Sequence, residues 1–227
     1  LFVDVKIAAN AQPGTYYIVF SKDGQSFKYP YEIASRREGS AERTSFTTAD
    51  MIYLIMPDRF ANGDPSNDSV EGMPDKADRS KPFGRHGGDI QGIINNLDYI
   101  KDLGATAIWC TPLLEDNLPV TTYHGYACTD YYHIDARFGD NDLFRTYVEK
   151  AHEKDLKIIM DIVPNHAGSG HWWMADVPFK DWYHVFDTYT GSNIVFSTNM
   201  DPNASKHDLY IQESGWFDTS MVDMNLD

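Results

Sequence analysis

The residues best placed to do chemistry lie in one run, Leu156-Lys-Ile-Ile-Met-Asp161-Ile-Val-Pro-Asn165-His166. A short apolar, β-branched stretch ends in a carboxylate, and an amide and an imidazole follow four and five residues later. Polar groups set where a buried strand surfaces are what a parallel barrel enzyme requires, because its site is built at the C-terminal strand ends. A second cluster is Asn62-Gly-Asp64-Pro-Ser-Asn67-Asp68, with four oxygen-bearing side chains within seven residues. Its Gly- and Pro-broken loop is suited to wrapping one hard cation, and calcium takes 6–8 oxygens. The spacing is not that of an EF-hand, and an Asx-rich turn is the competing reading.

The elements that must position these groups follow from periodicity. Leu1 to Ile7 alternates, Ala11-Gln-Pro-Gly14 turns the chain and Thr15 to Phe20 follows. Ser21-Lys-Asp-Gly24 turns again, and Phe27 to Ile33 completes a hairpin. Short strands between Pro-Gly and Asp-Gly turns predict that residues 1–34 are the last part of an immunoglobulin-like β-sandwich. Residues 35–50, charged and rich in small side chains, read as a linker.

The pattern then changes. Met51 to Met56 is a continuous apolar run, expected of a strand buried on both faces of a parallel sheet. Asp89 to Leu103 has helical spacing and Gly104 stands where it would stop. Ala105 to Cys110 is a second strand, Asn141 to Lys154 a second helix and Leu156 to Met160 a third strand. Strand, helix, strand, helix, strand is the opening of a parallel α/β barrel or open sheet, here assigned to residues 51–166. Over residues 167–227 the period is lost. Trp172, Trp173, Phe179, Trp182, Tyr183, Phe186, Trp216 and Phe217 are scattered there among polar residues, which reads as an excursion from the third strand. For most of these aromatics a small core of their own is favoured over a sugar-binding wall.

Composition bounds the rest. The chain has 227 residues, 42% of them hydrophobic and 14% aromatic, so it can bury a core. A formal net charge of −15 argues against nucleic acid and anionic membrane as partners, since both would repel it. Two cysteines, Cys110 and Cys128, make no disulfide framework and read as buried thiols. No apolar run is long enough to cross a bilayer. Because the chain opens at Leu1 rather than methionine, the true N-terminus is expected to lie upstream, and the lack of a targeting signal carries no weight.

At this point the chain resembles the α-amylase family, glycoside hydrolase family thirteen. Asp161-Ile-Val-Pro-Asn165-His166 is similar to the family's signature at the end of barrel strand three. Tyr123-His124-Gly-Tyr126, Asp130-Tyr-Tyr-His-Ile-Asp135 and Phe138-Gly139 resemble the loop after strand two. Gly87-Gly-Asp89-Ile-Gln-Gly92 resembles the entry to the first barrel helix, and Met221-Val-Asp223-Met-Asn225 the end of the excursion domain, domain B. Tyr53-Leu-Ile-Met-Pro57-Asp58-Arg59-Phe60-Ala-Asn62-Gly-Asp64 after a β-rich start is similar to the cyclomaltodextrinase, neopullulanase and maltogenic amylase group. Ala127 departs from the tryptophan many relatives carry there, and Val222 and Met224 depart from the commoner Pro-Asp-Leu-Asn form.

The resemblance implies the first three strands of a (β/α)₈ TIM barrel plus domain B, preceded by the end of a sandwich. It implies a retaining α-glucan hydrolase acting on α-1,4 bonds of cyclodextrins, pullulan or maltooligosaccharides, its substrate partners. The nucleophile, acid and third carboxylate are expected beyond Asp227, so the chain alone is expected to be inactive. By resemblance Tyr126 stacks on the sugar, His124 supports it and His166 donates to a sugar hydroxyl. Asp161 either clamps neighbouring loops or touches sugar, and Asn165 is structural first and a metal ligand second. The resemblance also implies a structural Ca²⁺ held by Asn62, Asp64, Asn67, Asp68, Gly87 and Asp89. A homodimer through the N-terminal domain is a further expectation. The compartment stays open, periplasmic or secreted being slightly favoured over cytoplasmic. A non-catalytic sugar-binding or interaction relative, or a transglycosylase, is the alternative reading.

Overall fold

The computed structural model describes residues 3–185, 191 and 200–226, in two compact units, residues 1–45 and 46–227. In the first unit β1 (Gly14–Lys22) and β2 (Gln25–Ile33) form an antiparallel hairpin, with Lys22 opposite Gln25. Asp23 and Gly24 make its two-residue turn with φ of 51° and 79°, as the twist of a tight hairpin demands. The strand expected at the N-terminus is not there. Residues 3–7 pair with nothing as a strand, and Leu1 and Phe2 lie outside the described residues. The unit break at residue 45 also falls inside the expected linker. Asp50 already belongs to the second unit, where it accepts from Lys157 Nζ at 2.8 Å and Thr106 Oγ1 at 2.9 Å.

The second unit is an unclosed piece of parallel barrel. Strands β3 (Ile52–Ile55), β4 (Ala107–Cys110) and β7 (Lys157–Met160) lie in the order β3-β4-β7, all parallel. Leu54, Trp109 and Ile159 share one row across the sheet, and Ile55, Cys110 and Met160 the next. The first apolar run, Met51 to Met56, reads as a strand buried on both faces, yet only one face of this sheet is buried. Ile55, Ile108 and Cys110 belong to the core with Ile90, Ile93, Ile100 and Tyr147, whereas Leu54 is 55% and Trp109 37% exposed. In a closed barrel that open face points inward.

One expected helix is two. α2 (Ile90–Asn95) and α3 (Leu97–Asp102) break at Asn96, whose Nδ2 donates to the Gly92 carbonyl at 2.7 Å. A side-chain amide bonded to a carbonyl one turn back competes with the helical ladder and bends the chain. A four-residue helix, α1 (Pro57–Phe60), follows β3, and α4 (Asn141–His152) is capped by Asp140, whose Oδ1 accepts from Leu143 N at 2.7 Å. α4 packs on α2 and β7 and buries Tyr147 and Ala151.

Two small antiparallel pairs complete the unit. β5 (Leu114–Glu115) pairs with β6 (Asp130–Ile134), folding the loop after β4 back on itself. β8 (His166–Gly168) pairs with β9 (Met221–Asp223), so the end of the excursion returns to its start, His166 opposite Asp223. Within the excursion α5 (Lys206–Glu213) is capped by Ser205. Trp173 packs against Tyr131, His171, Trp172 and Trp182, a small aromatic cluster with Trp172 still half exposed. Phe186, counted with these aromatics in the sequence, lies outside the described residues. Among the described residues no helix is long and apolar enough to cross a membrane. Cys110 and Cys128 are both free and buried, and burial pushes each thiol up to about 12, which leaves them inert.

Candidate functional site

The site forms where β4 and β7 end. Asp161 follows β7 directly, and its Oδ2 accepts from Trp109 Nε1 of β4 at 3.0 Å and from the Tyr126 hydroxyl at 3.2 Å. The carboxylate therefore clamps side chains rather than loop backbone. Tyr126 is half-buried. Burial, then the charge of Asp161 and the bond to it, raise its phenol, so it remains a proton donor.

Tyr126 is delivered by a strained turn. Thr121 and Gly125 flank the single helical turn Thr122–His124 with φ of 64° and 78°. A Cβ at Gly125 would overlap the Pro112 carbonyl oxygen, so only glycine fits. Thr122, fully buried, donates through N and Oγ1 to Asp75 Oδ2 at 3.0 Å each and accepts from Arg85 Nη1. His124 Nδ1 accepts from Tyr126 N at 2.9 Å, which leaves the imidazole proton on Nε2. Its ring lies 5.8 Å from that of Tyr126, and Arg59 covers Tyr123 at 4.3 Å.

His166 is buried, and burial lowers its pKa against the opposing pull of the Tyr126 carbonyl and Asp223, so it is neutral at pH 7. Nε2 lies 2.9 Å from the Tyr126 carbonyl and must carry the proton there, while Nδ1 faces Asn165 Nδ2 at 3.3 Å. The donor expected to reach a sugar hydroxyl is thus already engaged, and in this conformation His166 fixes the Tyr126 backbone. Phe217 stacks on the imidazole, rings 6.1 Å apart and tilted by 10°. Asn165 Nδ2 also lies 3.4 Å from Asp223 Oδ1, and Asp223 Oδ2 meets His184 Nδ1 at 2.6 Å. The structure therefore brings Tyr126, His124, His166, Asp161 and Asn165 together as one constellation.

Several members were not legible in advance. Trp109 reads only as a strand residue, and Phe217 comes from 51 positions beyond His166 without a motif of its own. Beneath the constellation, Arg137 pairs with Asp135 through Nε–Oδ1 at 2.9 Å and Nη2–Oδ2 at 2.7 Å, both side chains fully buried. The same guanidinium donates to the carbonyls of Asp75 and Asp116, tying the strand-two loop to the residues that hold Thr122.

The cation loop is built as a separate cradle. Asn62 Nδ2 donates to Asp68 Oδ1 at 2.6 Å, and the amide oxygens of Asn62 and Asn67 are buried without a hydrogen-bond partner. Gly87, at φ 83°, comes so close that a Cβ there would strike the Asp68 carboxylate. Two orphaned amide oxygens beside a carboxylate are an all-oxygen donor set that suits a hard cation. Asp64 and Asp89 are occupied otherwise. Asp64 Oδ1 accepts from Ser66 N and Oγ, and Asp89 caps α2 through Gly92 N at 2.6 Å while accepting from Gly63 N and Asp64 N. Among the described residues no three His, Cys, Asp or Glu side chains converge as a metal site.

Three parallel strands in the order β3-β4-β7, with a clamped tyrosine, a neutral histidine and a carboxylate gathered at their C-terminal ends, have the layout of one segment of a parallel α/β barrel. The family model described as "Alpha amylase, catalytic domain" matches residues 54–224, and the chain belongs to that family. It is 40% identical over 157 residues to neopullulanase 2 of Thermoactinomyces vulgaris, covering 63% of this chain and 26% of that protein. It is 38% identical over 170 residues to the cyclomaltodextrinase of Thermoanaerobacter pseudethanolicus, covering 71% and 28%. The solved α-amylase of Geobacillus thermoleovorans complexed with acarbose superposes with a TM-score of 0.57 at 35% identity, over 78% of this chain and 33% of that one. The chain thus spans about a quarter of the length of these two curated relatives.

Proposed function

We propose that this chain is the sugar-positioning part of an α-glucan hydrolase of the cyclomaltodextrinase or neopullulanase type. The observation that carries the reading is the Tyr126 ring, held from three sides at the strand ends. Asp161 takes its hydroxyl, His166 its carbonyl and His124 its backbone N–H. A rigid aromatic face beside neutral polar groups is what an apolar sugar face with hydroxyl edges needs. Family membership and relatives named for cyclodextrin and pullulan cleavage support the substrate class.

Cleavage of an α-1,4 bond with retention needs a carboxylate nucleophile and a carboxylic acid roughly 5–5.5 Å apart. In this proposal both come from outside residues 1–227, and the residues described here bind and orient the sugar without bond cleavage. A structural calcium would be held by Asn62, Asn67 and Asp68 against the Gly87 backbone. It would supply charge compensation and cross-link the loop to the segment before α2. Asp64 and Asp89 would contribute by shaping the loop.

The test is product analysis of the whole protein on cyclodextrin, pullulan and soluble starch. Opening of cyclodextrin faster than starch breakdown is expected. Longer chains accumulating from a single cyclodextrin would replace hydrolysis with transglycosylation. Absence of new reducing ends from all three, with glucan binding retained, would replace it with a non-catalytic sugar-binding relative.

A further inference from the structure

The turn that delivers Tyr126 is strained at its first residue. Thr121 has φ 64° and ψ 24° and caps the turn with no side-chain hydrogen bond. A β-branched residue in the left-handed region is a backbone outlier that persists only where its surroundings fix it. The fixing contacts fall on the next residue, Thr122. Asp75 Oδ2 accepts from its N and Oγ1 at 3.0 Å each. Arg85 Nη1 donates to its carbonyl at 3.2 Å and to its Oγ1 at 3.1 Å. Between them, two side chains hold the donor, the acceptor and the hydroxyl of one residue.

Both grips come from one irregular segment. Ala77, two residues after Asp75, bridges in parallel to Arg85, and Asp78 N donates to the Arg85 carbonyl at 2.8 Å. Arg85 is fully buried, its guanidinium 4.6 Å from the centre of the Phe138 ring, and its Nε and Nη2 have no hydrogen-bond partner. Nε lies 3.9 Å from Asp58 Oδ1, an oxygen already held by His86 N and Gly87 N. A guanidinium buried with two nitrogens unpaired returns little net stability, since desolvation offsets what its partners give. What it supplies is direction. Its one hydrogen-bonded nitrogen, Nη1, ends on Thr122 twice.

We infer that Arg85, together with Asp75, is a positioning residue for Tyr126: it holds Thr122 against the strain at Thr121 and so keeps the tyrosine aimed at Asp161. The inference rests on Tyr126 being the sugar-facing ring and adds the residue that places it. With the grip lost, Thr121 relaxes to negative φ, the turn ahead of Tyr126 swings, and the 3.2 Å bond from its hydroxyl to Asp161 breaks.

The test follows the Cζ resonance of Tyr126 by NMR in the full chain carrying isotope-labelled tyrosine, without sugar, the resonance being assigned by its loss in Tyr126→Phe. Arg85→Lys keeps the charge and loses the fixed fork. Thr122→Val removes only the hydroxyl, shares the same expectation and serves if Arg85→Lys does not fold. Thr121→Gly takes up the left-handed conformation without strain. In Arg85→Lys the resonance is expected to shift to where Asp161→Ala puts it. Thr121→Gly alone should leave it in place, and adding Thr121→Gly to Arg85→Lys should return it. Urea midpoints are measured alongside. A lowered midpoint with the resonance unmoved makes Arg85 a structural residue only and overturns the inference. So does a shift that Thr121→Gly fails to reverse, because strain at Thr121 is then not what Arg85 opposes. The resonance reports the ring's placement with no sugar present, so either failure leaves the α-glucan reading standing. A native chain that binds no glucan, with the resonances as expected, overturns that reading and leaves the grip on Tyr126.

Discussion

The hydroxyl of Tyr126 and the indole N–H of Trp109 both end on one oxygen of Asp161, at 3.2 and 3.0 Å. The first carboxylate after β7 therefore ties a residue of β4 to a residue of the loop beyond it. A hydrogen bond to a charged group contributes about 1.5–3 kcal/mol, so Asp161→Ala should weaken maltotriose binding by roughly tenfold or more through a freed Tyr126 ring. Tyr126→Phe keeps the ring and loses the bond. If the clamp is the reason, the double variant costs no more than the worse single, a coupling of about 1–2 kcal/mol in a calorimetric cycle. Fully additive losses would show that Asp161 meets the sugar by itself.

Gly125 is where the turn tolerates least. Its φ of 78° and the Pro112 carbonyl oxygen facing it both exclude a side chain. Strain and overpacking together predict that Gly125→Ala costs about 2–5 kcal/mol. Urea denaturation checks it, and a midpoint within error of the native chain would mean that the turn relaxes freely.

Sequence reasoning reached the parts of this site whose signal is local. The strand before Asp161 and the helix read over 141–154, which runs over Asn141–His152, are written within a dozen neighbours each. It missed Asn96 as a break, since apolar spacing continues straight through it and only the amide bonded to Gly92 interrupts the ladder. It gave His166 a sugar hydroxyl as partner, because a motif reports residue types and not that the Tyr126 carbonyl would fold back onto Nε2. Phe217 reaches the His166 ring where the chain returns through the β8–β9 pairing, which brings together residues far apart in the chain. Residues 3–7 alternate like a strand yet pair with none, because alternation reports a possible pleat and not a partner.

Arg137 and Asp135 form a fully buried, two-bond pair from which the Asp75 and Asp116 carbonyls also hang. Removing one member leaves an uncompensated buried charge, a cost of about 3–5 kcal/mol. Asp135→Asn should therefore destabilise the chain far more than Asp142→Asn at the exposed start of α4. Equal melting temperatures for the two variants would contradict the pair's role.

Calcium should raise the melting temperature of this chain if the Asn62–Asp68 loop holds it. At a hundredfold excess over Kd the linkage is worth about 2.7 kcal/mol, or roughly 5–10 °C for a domain of this size. Asn67→Ala and Asp68→Ala should abolish the increment, and magnesium should not reproduce it. A shift that persists in Asp68→Ala would move the ion elsewhere.

Asp116 gives the fold an unusual pH response. Burial, and secondarily the charge of Asp135, push its carboxyl up to about 7, opposed by the Ala127 and Leu118 N–H groups and by Arg137. In the unfolded chain it titrates near 3.9, so between those values the folded chain holds a proton that the unfolded chain has lost. Its contribution is complete below the unfolded value and is lost as pH rises toward 7, by up to about 1.4 kcal/mol per pH unit. Asp135, held low, acts in the opposite sense, its contribution lost as pH falls. Melting temperatures between pH 5 and 8 should therefore decline for the native chain and stay level for Asp116→Asn, the two curves crossing as pH rises. A native curve parallel to that of Asp116→Asn would show that the buried carboxyl titrates normally, through water that reaches its unpartnered oxygen.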